Sequence, residues 1–383
     1  MSPLALSISF HAIGAFCAAI CYAPQKRVKG WSWQTFWILQ AAFCWFLLPI
    51  IGAFLTVPDY AAVVHEVPKD VMLRTFLLGA LYGVGGTAFG VAIRYVGFSV
   101  TYAMAIGVSM VGGTAYAISK GDTSILDAST HLHDFFAKTG SHWVVGGLAI
   151  GLVGIAFCGA AGKFKEWDHS KSGTAQPGEN KTLLGIFLCL LAGVLSAVYG
   201  MALTEGEPLA KAAEVHAAGH SIMGFDAATF SGNAIYPFSN AGAFLTTAAY
   251  CLWLHSRQKT FGEIVGRSPN VSVIRLPFNW VLAILTGCLW YGQFFFYGFG
   301  HYFIEQVKGF EQTCWAIHMI LLILLGTLVG IVFKEWARCQ KRTYVTLGLS
   351  LALLITGKLA LDYGNYLGQK ASEAATTQTA SAQ

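Results

Sequence analysis

Residues 289–301 read LWYGQFFFYGFGH. A water-soluble domain would have to hide nearly all of this run in its core, whereas a bilayer can simply solvate it. Trp290, Gln293, Tyr297 and His301 are the residues that plain lipid exposure does not explain. Counted from Trp290, Gln293 is at +3, Phe294 at +4, Tyr297 at +7 and His301 at +11. At about 100° per residue these positions fall within one arc of about 100° of a helix, while Tyr291 and Phe295 point elsewhere. The stretch therefore reads as a membrane helix with one selective face.

Composition places the whole chain in that class. It has 383 residues, 55% of them hydrophobic and 11% charged, against about 25% charged in an ordinary soluble domain. Its 43 glycines, many inside apolar runs, suit closely packed membrane helices. An outer-membrane barrel needs alternating strands of about 10 residues, and the apolar runs here are continuous and longer. The net charge of +5 comes from loop residues with no aromatic-interleaved basic patch, so nucleic acid is not an expected partner. The nine cysteines have neither disulfide nor metal-ligand spacing and read as small core residues.

Ten apolar segments approach or exceed the spanning length of about 20 residues: 5–23, 33–56, 73–93, 98–118, 142–161, 182–203, 228–254, 277–303, 312–334 and 343–366. The first, LALSISFHAIGAFCAAICYA, is followed by its positive charge, PQKRVKGW, rather than preceded by it. It is therefore expected to be a retained span and not a signal peptide. The loops after odd-numbered spans hold 16 of the 24 basic residues, which puts those loops in the cytoplasm and both termini outside. Five spans precede the 162–181 loop and five follow it. An odd number per half forces opposite orientations, the arithmetic of an inverted repeat. GALYGVGGTAFG (Gly79–Gly90) echoes GCLWYGQFFFYG (Gly287–Gly298), GGTAYAI echoes LGTLVGI, and GAFCAA echoes GVLSAV, in the same order along each half. The expected architecture is an all-α polytopic membrane protein of ten transmembrane helices in two inverted five-helix repeats. Residues 1–163 form the first repeat, 164–181 a cytoplasmic linker, 182–366 the second repeat and 367–383 a disordered tail.

Three spans carry faces suited to chemistry. On span 8, stacking aromatics beside an amide and an imidazole suit a sugar, which has both hydroxyls and a C–H face. Plain aromatic packing with a glutamine bonding across helices is the simpler account. Span 9 repeats the pattern with Glu311, Trp315, His318 and Leu322; span 1 offers His11, Gly14, Ala18, Tyr22 and Gln25. By depth, His11, His301 and His318 share the outer half of the membrane. Histidine titrates near neutral pH, and ionisable groups within spans are functional candidates; each imidazole could equally serve one structural hydrogen bond. Glu205 and Glu207 in TEGEP are second-rank proton candidates or an acidic rim. Lys358 and Asp362, at i, i+4, read as a structural ion pair with snorkelling, and Arg94 as a topology anchor. In span 7, Pro237 is expected to interrupt the helix near Asn233, Ser239 and Asn240. The loop histidines His131 and His133 lack further ligands.

No nucleophile elbow, phosphate-cradling loop, metalloprotease signature or dinucleotide fingerprint occurs. The chain is not expected to be an enzyme, an ATPase or a holder of any cofactor. A transporter without ATP must use an ion or substrate gradient.

Three stretches resemble the L-rhamnose–proton symporter family of the drug/metabolite transporter superfamily. They are FHAIGAFCAAICYAPQKRVKGWSWQTFW (Phe10–Trp37), LWYGQFFFYGFGH (Leu289–His301) and WAIHMILLILLGTLVGIVFKEW (Trp315–Trp336). The matching positions are His11 and Tyr22–Pro24; Trp290–Tyr297 and Gly300–His301; and Trp315, His318, Met319 and Lys334–Trp336. The resemblance covers nearly all ten spans and falls away in the 120–141 and 204–227 loops. It implies proton-driven uptake of a 6-deoxyhexose such as L-rhamnose, with L-fucose a related substrate, across a bacterial inner membrane. It also implies a path lined by spans 1–4 and 6–9. With it, the expected substrate-binding residues are Tyr22, Trp290, Gln293, Tyr297, Trp315, His318 and Asn240. The expected proton-coupling residues, chosen by depth and face, are His11, His301, His318 and Glu205. An exporter or exchanger of another metabolite, a sodium-coupled sugar transporter and a non-transporting receptor remain the alternatives. Oligomeric state is not legible.

Overall fold

The computed structural model describes residues 3–120, 136–137, 139–173, 181–269, 272, 274–305 and 314–381. The helices are α1 (Pro3–Ile20), α2 (Trp33–Thr56), α3 (Tyr60–Glu66), α4 (Lys69–Lys120), α5 (Ser141–Lys171) and α6 (Thr182–Glu205). They continue with α7 (Glu207–Ala217), α8 (Tyr236–Gln258), α9 (Arg275–Glu305), α10 (Cys314–Val332) and α11 (Lys341–Ser381). One two-residue hairpin pairs β1 (Ser221–Ile222) with β2 (Phe225–Asp226). Among the described residues seven helical stretches are long and apolar enough to cross a membrane, and Leu321–Val332 is a shorter apolar helix. The protein is thus a multi-spanning membrane protein.

The difference between seven stretches and ten expected spans has local causes. The expected spans 3 and 4 run together in α4, broken only at Gly97, whose φ of 81° lies in the left-handed region glycine tolerates. The chain turns back there. Phe89 and Tyr102 would stand about 20 Å apart along a straight helix, yet their ring centroids are 5.0 Å apart. Span 7 becomes α8, which Ser239, Asn240, Thr246, Thr247 and His255 make less apolar than its neighbours. Pro237 does not kink a helix midway as expected. It occupies the first turn of α8, after a 3₁₀ segment at Ala227–Ala234, where the missing N–H has no helical partner to lose. The final helix runs to Ser381, through the segment read from sequence as a disordered tail. Of the eight cysteines whose side chains are described, Cys21, Cys44, Cys158, Cys189 and Cys251 are buried; Cys288 is exposed.

The described chain divides into two compact units, each drawing on both halves of the sequence. One is Met1–Ala88 with Val198–Phe303, the other Phe89–Ala197 with Ile304–Gln383. In the second unit, a buried glutamate fastens the α4 hairpin. Glu335 accepts the backbone N–H groups of Phe98 (2.9 Å) and Ser99 (3.3 Å), which open the helix after Gly97. Negative charge at those orphan donors is favourable. Lys165 donates to the Val96 carbonyl at 2.8 Å, and the Trp336 indole donates to the Ser99 hydroxyl at 2.9 Å. The first unit uses the same device. Glu263 accepts from the Ser32 N–H (2.7 Å), the Ser32 hydroxyl (2.8 Å) and the Thr35 hydroxyl (2.6 Å) at the start of α2.

Helices α5 and α11 form an antiparallel seam in the second unit. Gly140, Gly147 and Gly154 on one side meet Gly364, Gly357 and the Ser350–Leu354 turn on the other. Small residues every seventh position let the two backbones touch. Lys358, expected to snorkel outward, is instead buried at 2% exposure and ion-paired with Asp362 one turn on. With its charge met inside, the ammonium has no need to reach water.

Candidate functional site

In the first unit, α1 and α9 are zipped together. The Ser7 hydroxyl donates to the Gly300 carbonyl at 2.7 Å. The Phe10 ring lies against Phe296, Phe299 and Phe303. His11 has 0% exposure and meets the edge of Tyr297 at 5.2 Å. Gly300 is required by this contact, because a Cβ there would stand 2.6 Å from Nε2 of His11. Phe225 of the hairpin packs on Phe299 at 4.8 Å and so covers the α9 side of the zipper.

Deeper in the same unit, five rings from four helices close a circuit. Trp45 contacts Tyr82 at 5.9 Å and Tyr82 contacts Tyr199 at 4.4 Å. Tyr199 contacts Phe294 at 6.4 Å, Phe294 contacts Trp290 at 5.2 Å, and Trp290 returns to Trp45 at 5.5 Å. Local sequence explains how the rings arrive. Trp45 lies in a π-helical turn, Ala42–Leu47, a distortion that re-aims side chains. Gly86 leaves room for the Trp45 ring, since a Cβ would sit 2.6 Å from it. Tyr236 abuts Phe294 at 4.7 Å. Asn240 on α8 contributes the polar edge, its Oδ1 accepting from the Tyr199 hydroxyl at 2.7 Å. The α8 backbone is held against α4 by Thr246 donating to the Ala80 carbonyl (2.9 Å) and Thr247 to that of Gly83 (3.2 Å). Together these rings form an apolar cluster, largely of edge-to-face contacts, with an amide and a phenol at its edge.

The expected site residues divide. Trp290 and Asn240 join the ring circuit. Gln293 is half-buried and donates to the carbonyl of Trp290 on its own helix at 2.8 Å. Tyr297 and His11 meet in the α1–α9 zipper. Tyr22 is buried in a separate stack, 5.1 Å from Trp37, which stacks in turn on Trp33 at 5.0 Å. Glu205 is partly exposed and lies 3.5 Å from Arg74, which also pairs with Asp70 at 2.8 Å. His318 is buried in the second unit. The side chains of Trp315 and His301, and residues Glu311, His131 and His133, lie outside the described part. Among the described residues no group of histidines, cysteines and acids is arranged to hold a metal ion.

Sequence reasoning missed Trp45, Tyr82, Tyr199 and Tyr236. One signal was present for Tyr82. In the echo of Gly79–Gly90 with Gly287–Gly298 it occupies the same offset as Trp290, and the two rings belong to one circuit. Tyr199 and Trp45 sit among other aromatics with no such marker.

The family model described as L-rhamnose-proton symport protein (RhaT) matches residues 1–364. An L-rhamnose-proton symporter of Salmonella typhi is 30% identical over 357 residues, covering 92% of this chain and 96% of its own. That of Mannheimia succiniciproducens is 29% identical over 352 residues (91% and 95%), and that of Citrobacter koseri 30% over 356 residues (92% and 96%). No solved structure matches. With the family motifs carried by His11, Trp290–Tyr297 and Gly300 meeting in one unit, and a match running from the first residue to the last span, the chain belongs to the L-rhamnose–proton symporter family, which is one of transporters and not of enzymes.

Proposed function

We propose that this protein is a proton-coupled symporter that imports L-rhamnose, or a related 6-deoxyhexose such as L-fucose, across a bacterial inner membrane by alternating access. The observation that carries the reading is the closed circuit of Trp45, Tyr82, Tyr199, Phe294 and Trp290 with Asn240 at its edge. A 6-deoxyhexose has C–H faces and a methyl group to lay on the rings, and hydroxyls for the polar edge. The names of the relatives support the same substrate.

In this reading Trp290 and Asn240 bind the sugar, and Tyr297, Gln293, Tyr22, Trp315 and His318 are the further candidates for contacting it. His11 is the leading proton carrier, and His301, His318 and Glu205 are the further candidates. The proton is the coupling ion, and no cofactor takes part. The scaffold is ten spans in two inverted repeats, 1–163 and 182–366, joined by the 164–181 linker, with both termini outside. The shared order of the sequence echoes and the loop charges support that arrangement.

The test is purified protein in proteoliposomes. Adding L-rhamnose should produce an inward proton current, and an acid exterior should drive accumulation without sodium. Trp290→Ala should weaken L-rhamnose binding about tenfold, the scale of losing one buried aromatic anchor. A sodium-dependent current, or none, would refute proton symport; unchanged affinity would remove Trp290 from the site.

A further inference from the structure

Asn240 has 0% exposure, and its Oδ1 accepts the Tyr199 hydroxyl at 2.7 Å. That bond has two consequences. It orients the amide, because the oxygen faces Tyr199 and the nitrogen is left as the other arm. It also uses the only hydrogen of the phenol, leaving the Tyr199 oxygen as an acceptor. The Asn240 Nδ2 has no partner among the described residues. Buried amide donors are seldom left so, since an unsatisfied one is costly. Ser239, next in the chain, donates its hydroxyl hydrogen to the Ile235 carbonyl of its own turn.

A donor and an acceptor thus stand side by side at the edge of an apolar ring circuit. That is the complement of one hydroxyl group, which accepts with its oxygen and donates with its hydrogen. We propose that the Tyr199–Asn240 pair is the specificity-determining element of the site and reads a single ring hydroxyl of the sugar. Nδ2 of Asn240 donates to the hydroxyl oxygen, and the hydroxyl hydrogen is donated to the Tyr199 oxygen. This rests on the sugar-binding reading of the ring circuit. It adds that discrimination between sugars is made by α6 and α8, where the pair sits, as well as by the Trp290 face of α9. A pocket built to bond a hydroxyl rejects analogues lacking it far more strongly than an apolar pocket rejects a lost methylene.

The experiment is isothermal titration of the full-length protein with L-rhamnose and with its 2-deoxy, 3-deoxy and 4-deoxy analogues. The proteins are wild type, Tyr199→Phe, Asn240→Asp and Trp290→Ala, each first checked for an unchanged unfolding temperature. Tyr199→Phe removes only the hydroxyl, so it stands if Asn240→Asp does not fold. Both pair variants are expected to bind L-rhamnose about tenfold or more weakly. One analogue is expected to bind wild type more weakly by a similar factor and to lose nothing further in the pair variants. Equal L-rhamnose affinity in wild type and Tyr199→Phe, or losses that simply multiply for every analogue, would overturn the proposal. If Trp290→Ala weakens binding while the pair variants do not, only the pair falls. If wild type binds no L-rhamnose, the sugar-site reading falls with it.

Discussion

Replacing Gly300 with alanine tests whether the α1–α9 zipper governs transport. The new Cβ would lie 2.6 Å from Nε2 of His11, 2.7 Å from Cδ2 and 2.8 Å from Cε1. Ordinary contact between such atoms begins near 3.5 Å, so the imidazole or the α9 backbone must give by about 0.9 Å. His11 has little room, with 0% exposure and Tyr297 against its ring. Overpacking of this kind costs about 1–3 kcal/mol. If it falls on the conformation that takes the proton, that is a loss of about 5–150-fold. The assay is the L-rhamnose-evoked current of proteoliposomes on a solid-supported membrane, at matched protein density and at two external pH values. Gly292→Ala is the control on the same helix, because its Cβ would meet nothing within 4 Å. A Gly300→Ala current equal to that of Gly292→Ala, with the same pH dependence, would refute the placement of His11 beneath α9 in the working protein.

Three further outcomes follow from the packing. Glu335→Gln keeps the shape but removes the charge that caps Phe98 and Ser99; it should lower the unfolding temperature by a few degrees, and no change by intrinsic fluorescence would show the cap to be idle. Gly357→Leu should fail to yield folded protein, because even a Cβ would stand 2.7 Å from the Gly147 carbonyl and 2.8 Å from the Gly151 nitrogen; a monodisperse, rhamnose-binding product on size-exclusion chromatography would contradict the close seam. Glu205→Gln should change proton-driven uptake less than about threefold, since the pair with Arg74 is partly exposed and such pairs contribute little; a tenfold loss in radiolabelled uptake would raise Glu205 to a primary carrier.

The membrane class and most of the helices were legible in the sequence because lipid imposes one rule on every span. Each must be apolar, long and internally hydrogen-bonded, and that rule acts on contiguous residues. That Trp290 and Phe294 lie on one face of span 8 was legible for the same reason, helical periodicity being local. Trp290 and Phe294 were therefore found together. Asn240 was singled out through its polar neighbours and Pro237, although the proline starts α8 and does not break it.

What tertiary structure decided was the partnership of faces. No local rule ties Trp45, carried by a π-helical turn, to Trp290 some 245 residues later or Tyr199 to Asn240. Nor does any pattern in the chain announce that Glu263 and Glu335, from separate late loops, cap helices that begin far earlier in the sequence. Nor does the sequence announce that Tyr22 stacks on Trp37. Hydropathy fixes which residues enter the bilayer, but it treats all aromatics in a span alike. Only the packing of helices from both halves of the chain selects which rings meet in one circuit and which stack elsewhere.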